Sequence, residues 1–267
     1  MPFISFLNHL GALLTLWLLL CCGAPAAENG RILMVTEATF PPYEFRDGNA
    51  ILGIDPEIMR EVARRTGREL VIEDMSFDSV ITAVVSGKAD VAASGITVTP
   101  ERRRKVDFSI PYVEAAQVII VPKGSPIRKR EDIRGKRIGV QHGATGDIYV
   151  TRNIQQPERF PNGALAVAAV AAGKVDPATM YVAGNDRLEI LPEPLTSESY
   201  AIAVRKGDTA LLQDINGTIA ALKASGKLEE IRNAYAAMQI KSAAGPEQHA
   251  SGGGWLENIW LNLKESF

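Results

Sequence analysis

Apolar residues follow two rhythms along this chain, and their alternation lays out a fold. RILMVT, residues 31–36, is a short and mostly apolar run that reads as a buried strand. In the next segment, IDPEIMREVARRTG, Ile58, Met59, Val62 and Ala63 return on one helical face. Asp55 suits the N-cap of that helix, Pro56 its first turn and Gly67 its stop. LVIEDM is a second strand. DSVITAVVSG is a second helix, with Asp78 as cap, Val80, Ile81, Val84 and Val85 as the buried stripe and Gly87 as stop. ADVAASG is a third strand. The β-α-β-α-β order predicts a mostly parallel sheet covered by helices.

The pattern then restarts. AQVIIVPKG reads as a strand, and RIGV as another, followed by a glycine-rich turn and a helix starting near Asp147. A second lobe is therefore expected. VAAVAAGKVD is an alanine-rich helix stopped by Gly173. SYAIAVRKGD repeats the outline of AAQVIIVPKGS, which fits two chain crossings between lobes. Leu211, Leu212, Ile215, Ile219 and Leu222 mark one amphipathic helix, and Leu228, Ile231 and Tyr235 a second. Residues 243–254 read as a flexible linker. Residues 255–267, WLENIWLNLKESF, read as an amphipathic helix whose tryptophans suit a membrane surface or a partner.

The N-terminus has neither rhythm. It is apolar from Leu10 to Cys22 apart from Gly11 and Thr15, and Ala24-Pro25-Ala26-Ala27 follows. Residues 1–26 thus read as a signal peptide cut after Ala26, with lipidation ranked below cleavage. The run is short for a membrane anchor, which needs roughly 20 apolar residues. Both cysteines lie in this leader, so the exported part is expected to have no disulfide, no thiolate nucleophile and no cysteine-held metal. A chain of 267 residues that is 46% hydrophobic has ample core for one domain or two modest ones. Its formal charge of −2 lacks the basic excess of a nucleic-acid binder.

Motifs of catalysis are absent: there is no G-x-S-x-G, no H-E-x-x-H and no P-loop. Of the three histidines, His9 lies in the leader and His249 in the linker, leaving His142. No metal and no cofactor are expected. Carboxylates are numerous, but no spacing brings two of them together. Signals of binding are stronger. In SGITVTPERRR, Thr99 can cap a turn begun by Pro100, which places Arg102 in the first turn, near the Gly95 N–H and the Thr97 hydroxyl. A guanidinium matches a carboxylate bidentately, so Arg102 is expected to face inward and Arg103 and Arg104 to face solvent. Phe40 and Phe77 follow the first two strands, at the ends where open α/β sheets bind ligands.

Three segments, FPPYEFRDGNAILGIDPEIMREVARRTG, DVAASGITVTPERRRKVDFSIPY and IRGKRIGVQHGATG, resemble the family-3 extracellular solute-binding proteins. These are receptors of polar amino-acid ABC importers, and the likeness runs from about residue 31 to 240. It implies an α/β clamshell of the periplasmic-binding-protein type, two-lobed, with each lobe a mostly parallel sheet flanked by helices and two hinge crossings between them. Lobe 1 would comprise 28–112 plus 201–242, and lobe 2 would comprise 117–197. The ligand would be a polar amino acid or another small carboxylate, and the partner an ABC permease. The protein would be a periplasmic monomer without catalysis, with membrane association through the tail left open. By resemblance, Glu37 would face the ligand side chain, Phe40 and Phe77 would wall the cleft, and Gly95, Thr97 and Arg102 would hold the α-carboxylate. Gln141, Ala144 and Thr145 would complete the site from lobe 2. Tyr181 stands where the family places an Asp for the ligand ammonium, so either Asp186 or Glu37 would compensate, or the ligand would be a carboxylate other than a standard α-amino acid, or binding would be impaired. Two other readings remain open. One is a cyclohexadienyl-dehydratase-like enzyme using Glu37 or His142. The other is the receptor part of a receptor–permease fusion, which the tail resembles.

Overall fold

The computed structural model describes residues 30–180 and 187–243. The expected signal peptide, Tyr181, Asp186, the linker from 244 onward and the expected tail helix lie outside the described residues.

In the first half the elements are β1 (Arg31–Thr36), β2 (Thr39–Phe40), β3 (Glu44–Asp47), β4 (Ala50–Leu52), α1 (Ile54–Thr66), β5 (Glu69–Asp74), α2 (Phe77–Val85), β6 (Val91–Ala92), α3 (Pro100–Arg103) and β7 (Val106–Phe108). Next come β8 (Val113–Ala115), β9 (Val118–Pro122), β10 (Gly139–Gln141), α4 (Thr145–Asn153), β11 (Glu158–Phe160), α5 (Gly163–Ala171), β12 (Ala178–Met180) and β13 (Leu188–Ile190). The chain closes with β14 (Glu198–Tyr200), β15 (Ala203–Arg205), α6 (Thr209–Ala224) and α7 (Lys227–Ala243).

Two five-stranded sheets carry the lobes, in the orders β5-β1-β6-β15-β7 and β11-β10-β12-β9-β13. In each, parallel strands form one half: β1 pairs with β5 and β6, as the β-α-β-α-β order predicts, and β10 with β11 and β12. The other half is antiparallel, because β15 and β9 enter after the chain has crossed between lobes. The crossings themselves pair as β8 with β14. Pro177 sits just before the central strand β12, where its carbonyl accepts the Gly139 N–H and its missing donor costs nothing.

Side chains of β1 alternate as a strand requires. Ile32 and Met34 join Ile58, Met59, Val62 of α1, Ile215 and Ile219 of α6, and Ile231 of α7 in one cluster. Val35 joins Val80 and Val84 of α2 on the other face. Ile58, Met59 and Val62 are wholly buried, which contributes about 2 kcal/mol each.

Two helix starts differ from expectation. Helix α1 begins at Ile54 behind Gly53, and Asp55 is buried rather than capping. No side-chain cap is needed, because the Pro42 and Tyr43 carbonyls accept the Ile54 and Asp55 N–H groups, each at 3.1 Å. Helix α2 opens after Ser76, which leaves Asp78 in its first turn, a favourable place for a carboxylate near the positive end. The stop at Gly67 is as expected, left-handed with φ 67.

Candidate functional site

A cavity of about 450 Å³, counting the space at its mouth, lies between the lobes. Glu37, Phe40, Phe77, Gly95, Thr97 and Arg102 line it from the first lobe, and Gln141, Ala144 and Thr145 from the second. Those nine are all the sequence-predicted site residues except Tyr181, which lies outside the described residues. Five further lining residues, Glu44, Ser94, Gln117, Thr179 and Tyr200, were not anticipated. His142 is not among the lining residues; it is exposed, with its Nδ1 3.4 Å from Asp78 Oδ2.

Arg102 is turned inward by its own helix. Thr99 Oγ1 accepts the Arg102 N–H at 3.1 Å, the cap the sequence predicts. Nη1 then donates to Thr97 O at 2.9 Å, and Nη2 reaches across to Gly143 O at 3.2 Å. The guanidinium lies 5.3 Å from the Phe77 ring centre. Burial lowers its pKa, and the negative charge of Glu198 opposes the shift. An arginine still stays protonated. Arg103 and Arg104 are exposed.

Two donors predicted to share an anion with Arg102 are engaged inside the protein. The Gly95 N–H donates to Asp55 Oδ2 at 2.9 Å, and the Thr97 hydroxyl to Glu198 Oε2 at 2.7 Å. The first follows from Asp55 turning inward instead of capping α1. Gly95 is required for a second reason: its φ is 50, and a Cβ there would stand 2.8 Å from Phe40 Cε1. Phe40 packs on the first-lobe cluster and also on Ile120 and Val167 of the second lobe.

Glu37 is buried at the end of β1. Its N–H donates to Ser94 Oγ, and its carboxylate accepts from the Thr39 hydroxyl and, across the cleft, from Gln141 Nε2 at 3.3 Å. Burial raises its pKa most, Asp74 adds to the rise, and the bonds from Thr39 and Gln141 oppose it. On the second lobe, Gln117 Nε2 donates to Thr145 Oγ1 at 3.1 Å. Thr179 Oγ1 is buried and makes no hydrogen bond among the described residues. The N–H groups in the first turn of α4 have no helical acceptor. Guanidinium, hydroxyl and free N–H groups can hold a carboxylate, and the Glu37 carboxylate can hold a cation.

Asp147 fixes the turn that presents Gln141 to Thr145. It accepts from the Gly143 N–H at 3.2 Å, from the Thr151 hydroxyl at 3.0 Å and from Arg159 Nε at 2.9 Å. Burial alone would raise its pKa, but these bonds, Arg159 foremost, outweigh burial and hold it below the usual range. Its stabilisation is therefore complete above the ordinary Asp pKa and is lost as pH falls through the depressed folded value. Asp147→Asn is expected to cost about 1–2 kcal/mol, discounted because Arg159 is partly exposed. Denaturant titration at neutral pH checks this, and the gap between variant and wild type should narrow in acid.

A model of the bacterial extracellular solute-binding proteins, family 3, matches residues 32–238. The chain belongs to this family. A probable histidine-binding protein of Neisseria gonorrhoeae is 32% identical to it, over 83% of this chain and 89% of that one. The arginine-binding extracellular protein ArtP of Bacillus subtilis (strain 168) is also 32% identical, over 81% of this chain and 92% of its own. Among solved structures, a mutant of ArgBP from T. maritima matches with a TM-score of 0.74 at 41% identity, covering 78% of this chain and 96% of that one. The two-lobed architecture implied by the family resemblance is the one observed.

Proposed function

We propose that this family-3 protein is a periplasmic receptor that captures a cationic amino acid, arginine foremost, and presents it to an ABC importer without chemical turnover. The observation that carries the ligand class is Glu37. Its carboxylate is buried in the cavity wall, and the partners it has there, Thr39 and Gln141, are neutral. A buried carboxylate without a cation is costly, so the cavity favours a ligand that brings one. Arg102 supplies the complementary charge for the ligand carboxylate. The names of the relatives, arginine-binding and histidine-binding, point the same way. The apolar leader supports export.

Calorimetry with arginine, histidine, lysine and glutamine tests the reading. Arginine is expected to bind tightest, and absence of saturable binding by any of the four would overturn it. Glu37→Gln is expected to weaken arginine roughly 10–100-fold while changing glutamine little, because a charge-assisted bond becomes a neutral one. In the wild type, arginine affinity should fall as pH drops through the raised Glu37 pKa, where the carboxylate takes up a proton.

A further inference from the structure

Beneath the cavity, Glu44 of β3 and Asp55 of α1 meet with more acceptor atoms than donors. Glu44 is 1% exposed and Asp55 0%. Ser94 Oγ donates to Glu44 Oε1 at 3.2 Å, and the Gly95 N–H to Asp55 Oδ2 at 2.9 Å. Glu44 Oε2, Asp55 Oδ1 and Tyr112 Oη are buried and make no hydrogen bond among the described residues. The groups that face the pair are Glu37 at the end of β1, Tyr43 beside β3, Tyr112 before β8 and Tyr200 of β14, all acids or phenols. Among the described residues, no cation acts on either carboxyl. Two bare carboxylates in such a site repel each other and lack solvation. One added proton would resolve both problems, because a Glu44 O–H can donate to Asp55, which can also take the Tyr112 hydroxyl.

We propose that Glu44 is a positioning residue that keeps its proton in the folded protein at neutral pH and donates it to Asp55. The cavity wall of Ser94 and Gly95 is then held by an acid–carboxylate pair, and this holds whatever the ligand. The electrostatics run in the same direction. Burial, then the charges of Asp55 and Glu37, push the Glu44 pKa well up. Asp55, buried as deeply, rises only to about 6, because the nearby Tyr112 hydroxyl, the Gly95 N–H and Glu44 work against burial. A neutral Glu44 also leaves Glu37 as the ionisable acid of the cavity.

The test is carbon-13 NMR of the whole ligand-free protein labelled at the glutamate δ-carboxyl, with Glu44 assigned through its own amide. Its carbon is expected at the shift of a protonated acid at neutral pH, where exposed glutamates are ionised. Because this is read on the unaltered chain, it needs no variant to fold. Glu44→Gln keeps a donor toward Asp55, so its Tm should stay within about 2 °C of wild type, while Glu44→Ala should lose about 5–10 °C. A Glu44 carbon at the carboxylate position at neutral pH overturns the proposal. So does a glutamine variant as unstable as the alanine one.

Discussion

Arg102→Ala is expected to remove ligand binding, with affinity falling at least ~100-fold, whereas Arg104→Ala stays within about twofold of wild type. The two side chains sit two residues apart, Arg102 within a short helix and Arg104 at its C-cap, but face different media. Arg102 lies against Phe77 in the cavity wall and spans the lobes through Thr97 O and Gly143 O. Its removal takes away the cavity's guanidinium and one bond between the lobes together, and leaves a ligand carboxylate without its charged partner. Arg104 is exposed. Arg102→Lys keeps the charge but not the planar fork, so it should fall between wild type and alanine. Calorimetry on the three variants, with circular dichroism to confirm folding, decides. Equal affinity for the Arg102 and Arg104 alanine variants would remove Arg102 from the site.

Gly53→Ala is expected to destabilise the protein by about 3–5 kcal/mol. Gly53 has φ 133, and an added Cβ would stand 2.1 Å from the Tyr43 carbonyl oxygen, a backbone atom that cannot swing aside. That carbonyl also accepts the Asp55 N–H at the start of α1. Any shift that relieves the clash therefore loosens the helix start and separates Glu44 from Asp55. Gly48→Ala is the control. Its φ is 57, but nothing lies within 4 Å, so only the left-handed backbone penalty of about 1–2 kcal/mol applies. Chemical denaturation that finds the two variants equally unstable would show that the crossing at Tyr43 carries no particular constraint.

What could be read from the chain was local. Thr99 capping α3 and Arg102 facing inward follow from a few adjacent residues, and the structure has both. The aromatic loops after the first two strands were equally legible, because strand ends can be counted. Asp55 shows where local reading stops. An Asp-Pro pair before an apolar stripe is a good cap signal. Here the carbonyls of Pro42 and Tyr43 do the capping, and Asp55 serves Gly95 instead. Gln117, Thr179 and Tyr200 reach the cavity only through pairings between distant strands, such as the bridge between Thr97 and Tyr200. Ser94 was within reach, one residue before the glycine already singled out. Glu44 was not, since its meeting with Asp55 depends on the turn at Gly53.

Phe40 touches the apolar clusters of both lobes. Keeping part of one ring out of water favours the arrangement seen here, with the lobes in contact, by about 1 kcal/mol, with or without a passenger. To an importer that responds to shape alone, an unloaded receptor that has shut is a false positive. The breadth of that one side chain therefore helps set the background against which a genuine delivery must be recognised, and a smaller residue there would exchange some affinity for a quieter signal.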